Sequence, residues 1–272
     1  MVLGMTPSNP IRNGYPTDLS DAEWSLIEPF VPLQQPLFTE TKYDRRNVID
    51  GILYKLHTGC QWRLLPNDFP PWQSVAKYFY RYQRLGVWES LRAQLHRQVR
   101  LAAGRAEEPT LAVIDSQSVK VAGQGGERGF EAHKRVKGRK RNLAVDILGL
   151  LLTVFVCAAS VQDRDTIPEL LSAAHKRYPT LKAALVDGAY NGEIVSRTAE
   201  QVGIQVQIAQ RAVGERGFHV VPKRWVVERS IAWLNNWRQL SKEYDRTTAS
   251  SQTWITIGFV DLMLGRLTVD AA

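Results

Sequence analysis

The hydrophobic and polar positions of the amino-terminal part follow the period of helices with one buried face. Between residues 18 and 104, apolar side chains recur about every three to four positions. Ser20 and Glu23 form a capping box at the start of the first helix, and Gly59 follows the end of the second. Four helices are predicted, over residues 20–31, 44–58, 71–85 and 88–103. The pattern therefore predicts a small all-helical domain over residues 18–104, preceded by a flexible arm over residues 1–17.

The pattern changes at residue 107, where short apolar runs rich in β-branched residues replace the helical period. A group of strands comes first, and strands then alternate with helices. Strands are predicted at residues 111–117, 141–148, 150–158, 183–186 and 205–208, and helices at 166–177, 191–202 and 224–242. Thr166 and Glu169 form a second capping box. This order predicts an α/β domain over residues 107–265, with a mixed sheet flanked by helices.

One apolar run, residues 143–161, is long enough to suggest a membrane span. It contains Asp146, has Leu148 and Gly149 at a plausible turn, and is rich in β-branched residues. These features are typical of a buried β-hairpin, so no membrane association is predicted.

The first twenty residues lack the pattern of a signal peptide, and two cysteines are too few for a disulfide framework. A reducing cytoplasm is the expected compartment.

Three acidic residues stand in contexts that suggest chemistry. Asp115 interrupts the first apolar strand, Asp187 ends a later strand in an Asp-Gly pair, and Glu228 lies in the last predicted helix among tryptophans. The plainer interpretations are a strand end, a turn, and a surface ion pair with Arg224. In open α/β sheets, however, ligands gather at the carboxyl ends of strands. Together, the three carboxylates would suit two Mg²⁺ or Mn²⁺ ions, which act in phosphoryl transfer.

Other acids and the histidines are not expected to join this group. Asp146 lies in the predicted hairpin, and Asp163 and Asp165 just precede a helix start. The five histidines show no ligand spacing, so no zinc site is predicted.

The formal net charge of +8 and the sequence pI near 9.6 favour a polyanionic partner. The densest basic run ends a long loop that leads to a strand beside Asp115. A solvated charge run is the plainer interpretation, but loops of about twenty residues are uncommon unless they are functional. We therefore predict a DNA surface that follows the phosphates. The run consists of Lys134, Arg135, Lys137, Arg139, Lys140 and Arg141.

The second and third helices are candidates for a variant helix-turn-helix. The polar side of the third helix carries residues that suit phosphate and base contacts, with a solvated face as the alternative. These residues are Gln73, Lys77, Arg81 and Arg84.

Several sequence motifs occur in order along the chain. They are Asp115–Lys120, Gly125–Phe130, Lys137–Arg141, Val161–Asp165, Asp187–Tyr190 and Trp225–Arg229, preceded by Trp24–Pro32 and Gly59–Pro66. Together these motifs resemble those of bacterial insertion-sequence transposases of the DDE class, in particular the insertion-sequence-five-like group. The resemblance covers about residues 18–245.

The resemblance implies a ribonuclease-H-like catalytic domain in which Asp115, Asp187 and Glu228 are the DDE triad and bind two Mg²⁺. The implied activity is metal-dependent strand cleavage at element ends, followed by strand transfer into target DNA. The implied partners are double-stranded DNA and a second copy of the chain, as a homodimer on DNA in the bacterial cytoplasm. Further DNA contacts are expected at Lys120, Arg224, Arg229 and Arg238.

The chain departs from the broader signature Tyr-(2)-Arg-(3)-Glu-(6)-Lys. Arg224 and Glu228 keep its centre, whereas Val221 and Asn235 stand at the tyrosine and lysine positions. The DNA role of that lysine is therefore open, with Arg238 or Lys242 as candidates. Two alternative functions are a non-catalytic DNA-binding repressor derived from a transposase and a plain metal-dependent endonuclease.

Overall fold

The amino-terminal helices begin and end close to the predicted residues. The computed structural model describes residues 14–32, 43–123, 126–209 and 224–268, so most of the predicted arm lies outside the described residues. The capping box is formed, with the Ser20 hydroxyl accepting a hydrogen bond from the Glu23 backbone N–H. Gly59 ends the second helix in the left-handed region, at φ 66°. The helices are α1 (Asp21–Ile27), α2 (Arg45–Thr58), α3 (Trp72–Arg84) and α4 (Val87–Ala102).

Six strands of the described chain form one mixed sheet. They are β1 (Leu111–Lys120), β2 (Gly129–Glu131), β3 (Val136–Val145), β4 (Leu151–Ala158), β5 (Ala183–Val186) and β6 (Gln205–Ile208). β1 pairs antiparallel with β3 and parallel with β5, and β6 continues the sheet parallel to β5. β2 and β4 pair with successive lengths of the other edge of β3. This order confirms the predicted α/β, ribonuclease-H-like arrangement.

The predicted hairpin is formed by β3 and β4, and its turn contains Gly149 at φ 81°. No helix in the described ranges combines the length and the hydrophobicity that a membrane crossing requires. β3 begins earlier than predicted, at Val136, and β2 was not predicted. The basic run is therefore largely strand, because β1 continues to Lys120 and provides pairing partners for it.

Helices cover both faces of the sheet. They are α5 (Ile167–Arg177), α6 (Glu193–Val202), α7 (Trp225–Trp233) and α8 (Thr248–Thr268). Alternate residues of β1 enter two cores: Ala112 and Ile114 pack with α5 and α6, whereas Val113 packs with α7, α8 and the amino-terminal helices. This alternation is the period-two pattern of a strand that is buried on both faces.

Two predicted helix features are wrong. Thr166 does not cap α5 with its side chain, because it is fully buried and its hydroxyl donates to the Asp163 carbonyl at 2.6 Å. The helix predicted over residues 224–242 ends at Trp233, and the chain continues as two 3-10 turns. Trp237, between these turns, is extended, and its indole N–H donates to Asp261 at 2.8 Å.

α8 lies in the predicted catalytic domain but was not predicted as an element. Most of its central residues are buried, and it packs on β4 as well as on the first four helices. Trp254 stacks on Phe79 of α3, with ring centroids 4.5 Å apart. The amino-terminal helices and the sheet therefore share one hydrophobic core through α8.

Candidate active site

The register of two parallel strands brings Asp115 and Asp187 together. Leu111 pairs with Ala183 and Val113 with Leu185, so two residues further along the chain Asp115 stands beside Asp187. Side chains two residues apart in a strand point the same way, so Asp115 shares the face of Val113, and Asp187 shares the face of Leu185. Val113 and Leu185 pack in the same core, so both aspartates lie on the same face of the sheet. The Asp187 carboxylate also accepts a hydrogen bond from the Ala189 N–H at 2.9 Å, which holds it at the end of β5.

Glu228 reaches the two aspartates from the helix layer. α7 packs across β1 and β3 and carries Glu228 in its first turn. The exposed fraction of the side chain rises from 18% for Asp115 to 33% for Asp187 and 47% for Glu228. The three predicted acids therefore line one site that is closed on the sheet side and open to solvent on the helix side.

The guanidinium of Arg224 lies among the three carboxylates. Its Nη2 donates to Glu228 Oε1 at 2.5 Å. Its Nη1 is 3.5 Å from Asp115 Oδ2 and 3.9 Å from Asp187 Oδ2. The ion pair between Arg224 and Glu228, which was the plainer interpretation of Glu228, is formed, but it belongs to this cluster rather than to an isolated surface pair.

The surroundings of Asp115 raise the pKa of its carboxyl to about 6. Burial is the main cause, because it disfavours the charged form. The Ser116 N–H and the Arg224 guanidinium oppose the shift, whereas the negative charges of Asp187 and Glu228 add to it. A cation placed among these acids would favour the ionised form of Asp115.

A polar network lies directly beside the site. Ser116, which follows Asp115, donates its hydroxyl to Asp163 Oδ1 at 2.7 Å. Lys140 places its ammonium 2.9 Å from the same oxygen. Tyr190 is buried close by, and burial followed by the charge of Asp163 holds the pKa of its hydroxyl well above the ordinary value. The sequence pattern placed Asp163 outside the site. Its contacts with Ser116 of β1 and Lys140 of β3 depend on the pairing of these two strands, which brings residues distant along the chain together.

The residues of the site suit a divalent cation in kind. Carboxylate oxygens are the ligands that Mg²⁺ and Mn²⁺ prefer, and a positive group already stands among them. Within the described ranges, no three His, Cys, Asp or Glu side chains are arranged closely enough to hold one ion as they stand. The three acids contact the Arg224 guanidinium instead.

Half of the basic run is buried, which corrects the predicted DNA surface. Arg139, Lys140 and Arg141 are 0%, 3% and 1% exposed, so their charges do not face solvent. Arg141 Nε donates to Glu243 Oε1 at 2.5 Å, and Arg139 Nη1 is 3.4 Å from Glu243 Oε2. Buried charges are stable only when they are paired in this way. The other three basic residues, Lys134, Arg135 and Lys137, are exposed at and beside the turn between β2 and β3.

The remaining predicted DNA contacts have different surroundings. Lys120 and Arg238 are exposed. Arg229 is half-buried between the rings of Trp225 and Trp233, at 4.5 and 4.8 Å from their centroids. Asn235 and Lys242 are also exposed, whereas Val221 lies outside the described residues.

The polar side of α3 is largely accessible. Gln73, Lys77 and Arg84 are exposed, and Arg81 is half-buried. The connection between α2 and α3, residues 59–71, is longer than the turn of about three or four residues in a helix-turn-helix. The two helices therefore form a variant of that motif at most, and DNA contact by α3 stays a prediction.

Asp146 has a structural environment, in line with its predicted exclusion from the site. It is fully buried, accepts a hydrogen bond from Arg100 and lies 3.3 Å from the His96 ring. Burial raises the pKa of Asp146, but these groups and the Leu150 N–H outweigh it, so the pKa lies below its ordinary value. Asp146 thus joins α4 to the β3–β4 turn.

Comparison with known proteins gives two family matches along the chain. Residues 19–92 match the family described as "Putative transposase of IS4/5 family", and residues 106–260 match "Transposase DDE domain". Two relatives come from Burkholderia cepacia. "Insertion element IS402 uncharacterized 16.2 kDa protein" is 30% identical over 41% of this chain and 78% of its own length. "Putative transposase for insertion sequence element IS402" is 27% identical over 44% of this chain and 60% of its own length.

Two solved structures are similar at low identity. The Mos1 mariner paired-end complex with Mn is 12% identical, with a TM-score of 0.35, over 87% of this chain and 78% of that chain. The Mos1 strand transfer complex is 11% identical, with a TM-score of 0.26, over 87% and 80%.

Proposed function

This chain belongs to the transposase DDE-domain family, and from that premise we propose that it cleaves DNA strands at element ends and joins them to target DNA. Asp115, Asp187 and Glu228 would be the catalytic residues. The observation that supports this proposal is the convergence of the three carboxylates on one cationic group, Arg224, from two strands and a helix.

The three carboxylates would hold two Mg²⁺ or Mn²⁺ ions. When bound, such ions clamp the attacking and leaving oxygens of a phosphodiester and stabilise the charge that develops there. Asp115 and Asp187 would fix the ligand oxygens on the rigid sheet. Glu228, at the solvent side, would complete the ligand set from α7. Without a positive group in this site, the three acids would repel a phosphodiester, because like charges disfavour approach at short distance.

Exposed basic residues would bind the DNA backbone around this site. Lys120, on the same strand as Asp115, and the β2–β3 turn with Lys134, Arg135 and Lys137 are available for phosphate contacts. The exposed side of α3 would contribute recognition of element ends. We expect the protein to act on double-stranded DNA as a homodimer in the bacterial cytoplasm.

The test is Mg²⁺-dependent cleavage and joining of a plasmid that carries the DNA flanking the gene. Asp115→Asn, Asp187→Asn and Glu228→Gln should each reduce cleavage to background, because each removes a charged metal ligand, while circular dichroism stays unchanged. Asp165→Asn is the matched control, since Asp165 is an exposed acid outside the cluster. It should retain most of the activity.

Three results would contradict the proposal. If any one variant cleaves DNA at the rate of the wild-type protein, the residue replaced in it does not belong to the triad. Cleavage by the wild-type protein without strand joining would indicate a plain endonuclease. Specific binding of the flanking DNA without cleavage would indicate a repressor.

A further inference from the structure

We propose that Arg224 takes the place of a divalent cation in the metal-free protein, and that its guanidinium must leave the three carboxylates before the metal ions bind. The inference rests on the proposed function, because it assigns the metal to Asp115, Asp187 and Glu228. It adds a gate to that site. The residue that holds the acids together before the metal arrives is also the residue that competes with the metal.

The first support is position. One nitrogen of the guanidinium, Nη1, lies within 4 Å of an oxygen of both aspartates, and the other, Nη2, binds Glu228 at 2.5 Å. Arg224 thus contacts all three acids of the proposed metal site. Arg224 is at the start of α7, four residues before Glu228, so the helix itself places the positive group beside the third acid.

The second support is the poor fit of the guanidinium on the sheet side. Nη1 is buried and has no hydrogen-bond partner among the described residues, although two carboxylates are near it. A guanidinium makes strong pairs when its planar donors meet a carboxylate in line. Mg²⁺ instead takes carboxylate oxygens, which both aspartates offer, and completes its octahedral shell with water, so it does not need the planar donor fork of a guanidinium. The aspartate side of the site therefore suits an ion better than it suits Arg224.

Arg224 and an ion cannot occupy the cluster together as it stands. The two aspartates that would hold an ion both lie within 4 Å of Nη1, so the ion and the guanidinium would repel each other at short distance. Binding of the metal and release of Arg224 are therefore coupled, and removal of the arginine charge should increase metal affinity.

The experiment measures Mn²⁺ binding by titration calorimetry on the full chain without DNA, and thermal unfolding in EDTA. Arg224→Gln should bind Mn²⁺ on the order of tenfold more tightly than the wild type. In EDTA it should unfold at a lower temperature than the wild type, because the three carboxylates lose their counter-ion. Saturating Mn²⁺ should then stabilise the variant more than it stabilises the wild type.

The matched control is Arg197→Gln. Arg197 also pairs with a glutamate four residues away, Glu193 at 2.5 Å, but on an exposed part of α6 away from the cluster. It should leave both readouts unchanged. Equal or weaker Mn²⁺ binding by Arg224→Gln, with binding by the wild type intact, would overturn the gate alone. Binding that survives unchanged in Asp115→Asn would instead overturn the metal site of the proposed function and the gate with it.

Discussion

Arg139 and Arg141 share one buried acidic partner, Glu243, and donate otherwise to backbone carbonyls. Glu243 is 2% exposed, and its two oxygens face the two arginines and the Ser251 hydroxyl. Its backbone also bridges to β1, where its N–H donates to the Lys120 carbonyl at 3.0 Å. A side chain outside every predicted element thus neutralises two of the three buried residues of the basic run, whereas the third, Lys140, pairs with Asp163.

Replacement of Glu243 should destabilise the fold strongly. Glu243→Ala would leave two buried arginines without their carboxylate, and loss of one partner of a buried pair costs roughly 3–5 kcal/mol of the free energy of unfolding. Urea denaturation measures this loss. Glu193→Ala, which breaks the exposed pair with Arg197, should cost less than about 1 kcal/mol. Similar losses for both variants would argue against the buried pairing.

At the scale of elements, the β2–β3 hairpin separates buried from exposed charge along one strand. β3 is buried from residue 138 onward, where β1 and then β4 flank it, and it is exposed near the turn. Arg135 lies in that turn with a backbone φ of 52°, a conformation that residues other than glycine rarely adopt outside turns. The hairpin tip is therefore the part of the basic run that projects to solvent.

Removal of the exposed charges should weaken DNA binding in a salt-dependent way. Each phosphate contact contributes about 0.9 to the slope of log affinity against log salt. Replacing Lys134, Arg135 and Lys137 by alanine should therefore flatten that slope by roughly two to three units, as fluorescence anisotropy at several salt concentrations would measure.

The control variant carries Arg105→Ala and Lys182→Ala. It removes two exposed charges near the first residues of β1 and β5, at the opposite end of β1 from the β2–β3 turn. Its salt slope should stay close to that of the wild type. An unchanged slope for the hairpin variant would mean that the tip is only a solvated charge run.

At the scale of the whole molecule, α8 joins parts that the sequence pattern divides at residue 104. Phe79 of α3 and Trp62 both pack on Trp254 of α8, and the same core continues to β4. Gly258 lets Trp237 approach the helix closely, since a Cβ there would lie 3.1 Å from the indole ring. These contacts make the amino-terminal helices dependent on the carboxyl-terminal end of the described chain.

The amino-terminal fragment should therefore not fold by itself. A fragment of residues 1–104 lacks Trp254 and the rest of α8, and should show no cooperative thermal transition in calorimetry. In the full chain, Trp254→Ala should lower the free energy of unfolding by roughly 3–5 kcal/mol, within one transition that involves both parts. A cooperative transition of the fragment would instead support the predicted separate domain.

The sequence by itself determined the elements whose signals are local. The capping box at Ser20, the glycine at position 59 and the period of apolar residues depend on neighbours within a few positions, so α1 to α4 and five of the six described strands were predictable. It also pointed to Asp115, Asp187 and Glu228, because a carboxylate at the end of an apolar strand or among tryptophans conflicts with its surroundings.

Only the tertiary structure decided which charges face which partners. Arg139 and Lys137 look alike in the sequence, but Arg139 is buried against Glu243, which is distant along the chain, whereas Lys137 is exposed beside the β2–β3 turn. In the same way, the position of Arg224 among all three acids depends on the register of β1 with β5 and on the packing of α7. The physical reason is that burial and electrostatic pairing arise from contacts between distant segments, whereas periodicity and capping arise within one segment.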